Sequence, residues 1–265
     1  MTAILSVEHV GMRFGGLTAI SDLHFHVREG EILSLIGPNG AGKTTAFNIM
    51  TGFLKPTQGR VVFRGRDLAQ TRPNEIARLG LARTFQRTSV FADDTVRDNV
   101  LIGLHRFACP DLMDRLLPTP RARAAEKAAR ARADEIIDLV GLAHRAEEKA
   151  GALSYGEQRL VGFALALATA PRMLLLDEPV SGMNASETQG FVRLVRKVRD
   201  EGVSILLVEH DMPMVMEVSD RIVCLNYGRL IAEGPPAEIR SDPAVVEAYL
   251  GKSAARLEHK EMADA

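Results

Sequence analysis

Three stretches of this chain are apolar almost without interruption: EILSLIG (31–37), MLLLDEP (173–179) and SILLVEH (204–210). A strand with one wet face alternates apolar and polar residues. An unbroken run of four or five suits a strand covered on both faces, as in a parallel sheet between helical layers. Each run ends in glycine or charged residues, at the sheet edge where open α/β sheets bind ligands. SDLHFHV (21–27) alternates instead. Leu23, Phe25 and Val27 face one way and Asp22, His24 and His26 the other, which predicts a half-buried strand. The two histidines read as a solvated face, because no third metal ligand sits at a suitable spacing. RIVCLNYGRLIAEG (221–234) predicts a hairpin turning at Asn226 to Gly228. From about residue 90 to 165 the periodicity is helical. There RARAAEKAARARADEIIDLVGL (121–142) predicts a long helix ended by Gly141, whose Arg121, Arg123, Lys127, Arg130 and Arg132 read as a solvated face, the alternative being a contact to phosphate or lipid. The sum is an α/β fold: a mixed central sheet with helices on both faces, an antiparallel β subdomain and a helical subdomain.

Composition narrows the functional classes. The 265 residues are 46% hydrophobic and 25% charged, enough for one large domain or a domain with a subdomain. A formal net charge of -1 argues against a protein that holds nucleic acid by a dominant basic field. Cys109 and Cys224 lie far apart and read as reduced, buried thiols. MTAILSVEHVGMRFGG lacks a leader's basic and apolar regions, and no window offers 18 uninterrupted apolar residues. The expectation is a cytosolic protein.

Candidate chemistry begins where the first apolar run ends. Gly37, Pro38, Asn39, Gly40, Ala41, Gly42, Lys43, Thr44 and Thr45 spell GPNGAGKTT, which satisfies G-x-x-x-x-G-K-[ST] between a predicted strand and a predicted helix. Its glycines let successive amides curl around a β-phosphate. Lys43 reaches the β/γ oxygens, and Thr44 offers a hydroxyl to Mg²⁺. At average residue frequencies the pattern arises by accident in roughly one such chain in a hundred, so a mere Gly-rich turn carries little weight. Asp177 ends the second run, suited to a Mg²⁺ shell with Thr44. Glu178 follows as a carboxylate able to deprotonate an attacking water. His210 ends the third run at the same kind of sheet edge, suited to a γ-phosphate contact.

LSYGEQ (153–158) opens an apolar helical run. Ser154 and Glu157 fit a capping box, and Gly156 beside free amides at a positive helix end makes an anion site. Two phosphate-binding helix starts but one lysine-bearing loop fit one nucleotide if the second start comes from another copy of the chain.

In this order and spacing, GPNGAGKT, the Gln86 of TFQ, LSYGEQ, LLLDEP, SGMN and VEH resemble the ATP-binding cassette of ABC transporters over nearly the whole chain. More narrowly, GLARTFQRTSVFADDTVRDNVLIGLH and GRLIAEGPPAEIRSDPAVVEAYLG resemble the ATPase subunits of branched-chain amino acid importers. The resemblance implies a P-loop NTPase cassette over residues 1–250, with a helical subdomain at about 90–165 inserted in its core and a frayed tail at 251–265. It implies ATP and Mg²⁺, and a second cassette, identical or paralogous, joined head to tail around two ATP molecules. It also implies two transmembrane permease subunits at the cytoplasmic face of the membrane, a substrate-binding protein acting indirectly, and no nucleic acid.

Carried over residue by residue, the resemblance implies that Phe14 stacks on adenine, the alternative being a core phenylalanine. Gln86 senses Mg²⁺ and links the core to the helical subdomain. Ser154 and Gly156, with Glu157 beside them, clamp the γ-phosphate of the opposite protomer, while Glu178 is the catalytic base and His210 the switch histidine. The permease contact is expected between Gln86 and Phe91, where Val90 and Phe91 either receive a helix or fill the subdomain core. Branched-chain amino acids lead as cargo, with urea, short amides or aromatic acids as alternatives.

Departures from the family pattern concentrate after the signature. Tyr155 stands where most cassettes have Gly, and Asn184 where many have Asp, both as in the branched-chain group. Leu160, Gly162 and Leu165 replace a basic, an acidic and an arginine residue, deleting an ion pair and putting the packing of this helix in doubt. Rival readings fit less well. A DNA-repair ABC ATPase needs a long coiled coil between Gln86 and Leu153, where only 66 residues lie. The ABC translation factors carry two cassettes, and a P-loop small-molecule kinase leaves LSYGEQ and His210 idle.

Overall fold

The computed structural model describes residues 2–84, 90–108 and 119–249. The tail expected at 251–265 and Cys109 lie outside them. The chain forms two compact units, residues 1–79 with 199–265, and residues 80–198.

The first unit opens with β1 (Ala3–Phe14), β2 (Leu17–Arg28), β3 (Ile32–Ile36), α1 (Lys43–Met50), β4 (Gln58–Phe63), β5 (Arg66–Asp67) and α2 (Pro73–Arg78). The second unit supplies β6 (Leu81–Arg83), α3 (Val96–Ala108), α4 (Pro120–Leu139), α5 (Tyr155–Ala168), β7 (Met173–Asp177) and the start of α6 (Ala185–Asp200). The chain then returns to the first unit with β8 (Ser204–Val208), α7 (Met212–Val218), β9 (Arg221–Asn226), β10 (Arg229–Gly234) and α8 (Pro236–Ser241). A further helical run covers 243–249.

In the first unit β2-β1-β4-β5 form an antiparallel sheet, and β10, β9, β3 and β8 lie side by side in that order. As the unbroken apolar runs require, β3 and β8 are buried at every residue and pair in parallel. β3 is also parallel to β9, and β9 and β10 form the expected antiparallel hairpin, with Asn226 opposite Arg229. β2 alternates as its pattern predicts: Leu23, Phe25 and Val27 are buried, while Asp22 and His24 are exposed. Charge is buried here only with partners. Arg221 of β9 donates to both carboxylate oxygens of Glu31, at 2.8 and 3.0 Å, to the His26 carbonyl, and to Glu233 of β10. Burial raises the Glu31 carboxyl, but the Arg221 hydrogen bonds, the Arg28 amide and the arginine charges outweigh it and hold the group below the usual carboxylate range. Cys224, also in β9, is fully buried, and loss of hydration pushes its thiol up to about 12.

In the second unit β6 and β7 pair in parallel, and β7 too is buried throughout. α4 starts at Pro120, with the Thr119 hydroxyl accepting the Ala122 amide at 3.0 Å, and stops before Gly141, which holds φ 79°. Ala129, Ala133, Ile136 and Ile137 face inward. The five basic residues are exposed, with Arg130 and Arg132 paired to Glu126 and Glu135 on the same helix. α5 runs unbroken through Gly162, and Leu160 and Leu165 are half-buried rather than charged and wet. The doubt about its packing is met by hydrophobic contact: Phe163 meets Phe191 of α6 edge to face at 5.2 Å, and Gly103 lets α3 lie directly on the Leu165 carbonyl.

Candidate nucleotide-binding and hydrolysis residues

The predicted phosphate loop begins where β3 runs out of residues. Gly37 and Gly42 hold φ 147° and 103°, a region closed to most side chains, and both lie hard against backbone. A Cβ on Gly37 would stand 2.2 Å from the Leu225 carbonyl oxygen, and one on Gly42 2.9 Å from that of Ala19. The Gly228 amide of the β9–β10 turn donates to Ala41 at 2.9 Å, and the Ser21 amide donates to Gly228 at 2.8 Å. The loop is thus bolted between β2 and the end of β9. Pro38 and Ala41 are buried, while Asn39, Gly40 and Thr44 face water and Thr45 is half-buried.

Lys43 is only 6% exposed. Its Nζ donates to the carbonyls of Gly37 at 2.6 Å and Pro38 at 3.2 Å, curling the ammonium over the loop. α1 carries no acidic residue in its first turn and no side-chain cap from Gly42, so an anion at this helix start meets no competing carboxylate on the helix. The cradle, the buried ammonium and the helix dipole fit a polyphosphate. Phe14, at the end of β1, is 46% exposed, which excludes the core alternative and leaves a ring face for stacking. His210 is exposed just beyond β8, ahead of α7, whose N-cap Asp211 accepts from the Met214 amide at 2.9 Å.

In the second unit, Asp177 ends β7 with 1% exposure, and Arg83 of the neighbouring β6 donates to its Oδ2 at 2.8 Å. Glu178 breaks from the strand with φ 48°, a costly conformation for a non-glycine residue that aims consecutive carboxylates in different directions. Asp177 is buried and Glu178 half-exposed. The Arg83 guanidinium compensates the buried Asp177 carboxylate. Asp177 offers carboxylate oxygens, donors of the kind Mg²⁺ takes. Gln86 lies outside the described residues.

LSYGEQ forms the predicted capping box. Glu157 N donates to Ser154 Oγ at 3.3 Å, and Ser154 N to Glu157 Oε2 at 2.9 Å. The bond from the Ser154 amide, with Arg145 nearby, keeps the Glu157 carboxyl low despite partial burial. Tyr155 is exposed, its hydroxyl accepting from Arg159 at 2.7 Å. Its ring covers the Gly182 backbone, where a Cβ would stand 2.8 Å from Cδ1. Asn184 and Glu187 form a second box: Asn184 N donates to Glu187 Oε2 at 2.8 Å and Glu187 N to Asn184 Oδ1 at 3.0 Å. The Glu187 carboxylate also lies against buried Gly156, 3.1 Å from where a Cβ would be. Sequence reasoning missed Glu187 and Arg83. N-x-x-E was a readable signal for the first, whereas nothing local marks the second.

Among the described residues, no helix is long and apolar enough to cross a membrane. A family model described as "ABC transporter" matches residues 20–181, and one described as "Branched-chain amino acid ATP-binding cassette transporter" matches residues 229–255. The chain is 44% identical to the high-affinity branched-chain amino acid transport ATP-binding protein LivG of Salmonella typhimurium, over 94% of this chain and 98% of that one. Among solved structures it resembles the ADP conformation of an ATP-binding cassette of an ABC transporter, with 33% identity, 95% and 100% of the two chains covered and a TM-score of 0.81. It also resembles a cassette whose dimeric post-hydrolysis state holds ADP and phosphate, with 25% identity, 88% and 98% covered and a TM-score of 0.74. With its phosphate loop, its strand-end acidic pair and its capped signature helix all formed, the chain belongs to the ABC transporter family, as an ATP-hydrolysing ATP-binding cassette.

Proposed function

We propose that the chain powers a membrane importer of branched-chain amino acids. The observation that carries this reading is the branched-chain cassette signature at residues 229–255, alongside near-full-length similarity to a LivG protein. Residues 1–250 act as one cassette, with the helical segment at about 90–165 as its subdomain. Two such cassettes work head to tail at the cytoplasmic face, docked on two permease subunits that a substrate-binding protein supplies.

In this reading Phe14 stacks on adenine, and Lys43 and the amides of residues 37–45 hold the phosphates. Thr44, Asp177 and Gln86 are the residues that would hold Mg²⁺, which when bound neutralises phosphate charge. Glu178 takes the proton of the attacking water, and His210 contacts the γ-phosphate. Ser154, Gly156 and Glu157 present a helix start to the nucleotide of the partner cassette. Docking falls at Val90 and Phe91. The Phe91 backbone is pinned by fully buried Asn99, whose amide nitrogen donates to Phe91 O at 3.0 Å while its Oδ1 accepts from Phe91 N at 2.8 Å. The ring remains 51% exposed, which favours a receiving surface over core filling.

The test is reconstitution with the co-purifying permease and binding protein in liposomes. Leucine, isoleucine or valine on the binding-protein side should stimulate ATP turnover. Stimulation by urea, short amides or aromatic acids instead would move the cargo, and turnover independent of any permease would remove the transport role.

A further inference from the structure

His9, Asp22 and His24 stand together on the exposed face of the β1–β2 hairpin, each offering one ligand atom, all within 4.8 Å of one another. The chain pattern alone pairs His24 with His26. The hairpin instead brings His9 in from the neighbouring strand to join His24 and Asp22.

Two facing bulges build the cluster. Val7 pairs with Phe25 and Val10 with Leu23, so Glu8 and His9 together oppose the single residue His24. One step further, Met12 pairs with Ile20, so Gly11 opposes both Ser21 and Asp22. Each strand therefore carries an extra residue, and bulges of this kind re-aim side chains. His9 and Asp22 hold φ 50° and 55°, two non-glycine residues in the left-handed region at adjacent places in one ladder. Such conformations cost energy and cluster where a site requires them.

The hydrogen bonding is that of ligands held ready. His9 Nδ1 lies 2.7 Å from Asp22 Oδ1. His24 Nδ1 lies 3.1 Å from the Asp22 carbonyl oxygen. A carbonyl only accepts, so Nδ1 of His24 carries the proton and, in the neutral ring, Nε2 keeps its lone pair. Histidine ligands of metals are oriented by this kind of bond. Around Zn²⁺, with bonds of about 2.0–2.1 Å, neighbouring tetrahedral ligand atoms lie about 3.3 Å apart, which small rotations of exposed side chains supply.

We infer that His9, Asp22 and His24 form a binding site for a divalent first-row transition ion such as Zn²⁺, completed by water. Two imidazoles and one carboxylate select such an ion over Mg²⁺ or Ca²⁺, which prefer oxygen donors. The ion ties β1 to β2 across both bulges. None of the three residues belongs to the nucleotide machinery.

Tag-free, chelator-stripped protein without nucleotide should be titrated with ZnCl2 by calorimetry, with metal per chain counted after dialysis. The expected result is one ion per chain at micromolar affinity and a raised thermal midpoint. His9→Ala and His24→Ala should each weaken uptake by more than the roughly tenfold that loss of an outer-shell partner costs. His26→Ala, on the same strand outside the cluster, should leave it unchanged. Absence of uptake by the wild-type chain overturns the site, as does uptake that survives both cluster variants. Circular dichroism and ADP binding check that the variants fold.

Discussion

Arg83 Nη2 lies 2.8 Å from Asp177 Oδ2, with the two side chains 10% and 1% exposed. Adjacent parallel strands thus compensate the buried carboxylate within the fold itself. Arg83→Met leaves that charge less compensated, at a cost on the order of 3 kcal/mol in metal-free protein, measured by urea unfolding. If Asp177 takes up the proposed metal role, Mg²⁺ with ADP supplies the missing charge and should raise the thermal midpoint more in the variant than in the wild type. Equal shifts would show that Arg83 and the metal do not act on one carboxylate.

Glu178→Gln removes the proposed base and leaves the Lys43 contacts. ATP binding should persist while turnover falls by roughly 10²–10⁴, with an ATP-stabilised dimer visible by size-exclusion chromatography. Wild-type turnover would eliminate Glu178 as the base.

Lys43→Ala and Ser154→Arg damage opposite halves of the site if the signature of one cassette serves the phosphate of the other. Each homodimer then has two broken sites. A mixed dimer has one site with both defects and one with neither. Mixing the two inactive proteins should restore ATPase activity on the timescale of subunit exchange. The control is a wild-type/Lys43→Ala dimer that turns over. With it active, failure to recover would reduce LSYGEQ to a capped helix start.

Two mid-helix glycines should respond oppositely to alanine. A Cβ on Gly162 meets nothing within 4 Å, so Gly162→Ala should stabilise by about 0.5–1 kcal/mol through helix propensity. On Gly103 it would stand 2.5 Å from the Leu165 carbonyl oxygen and 2.7 Å from Ala168 Cβ, so Gly103→Ala should destabilise by about 1–3 kcal/mol. Denaturant midpoints of the same sign would refute the close α3–α5 approach.

Glu31 ionises more readily folded than unfolded, so its contribution is complete above the unfolded carboxylate value near about 4.3 and is lost as pH falls through the lower folded value. Glu31→Gln should lower stability at neutral pH by on the order of 3 kcal/mol, because Arg221 stays buried. It should also flatten the acid limb of stability against pH. An unchanged limb would mean that the pair titrates alike in both states.

Features that depend on neighbours a few residues apart are legible in the chain alone. The runs at 32–36, 173–177 and 204–208 are buried strands because apolar side chains fill all but one position of each, the exceptions being Ser34, Asp177 and Ser204. GPNGAGKTT makes its loop because Gly37, Gly40 and Gly42 enter positive-φ regions that favour glycine, and Ser154 caps α5 because Glu157 lies one turn away. Contacts between distant positions depend instead on which strand lies beside which. Arg83 reaches Asp177 because β6 pairs with β7, 94 positions apart, and Arg221 meets Glu31 across 190. His9 joins Asp22 and His24 only because two bulges shift the register between β1 and β2. Side chains alternate faces along a strand, so such a shift changes which residues share a face, and a strand's own residues do not reveal the register of its partner.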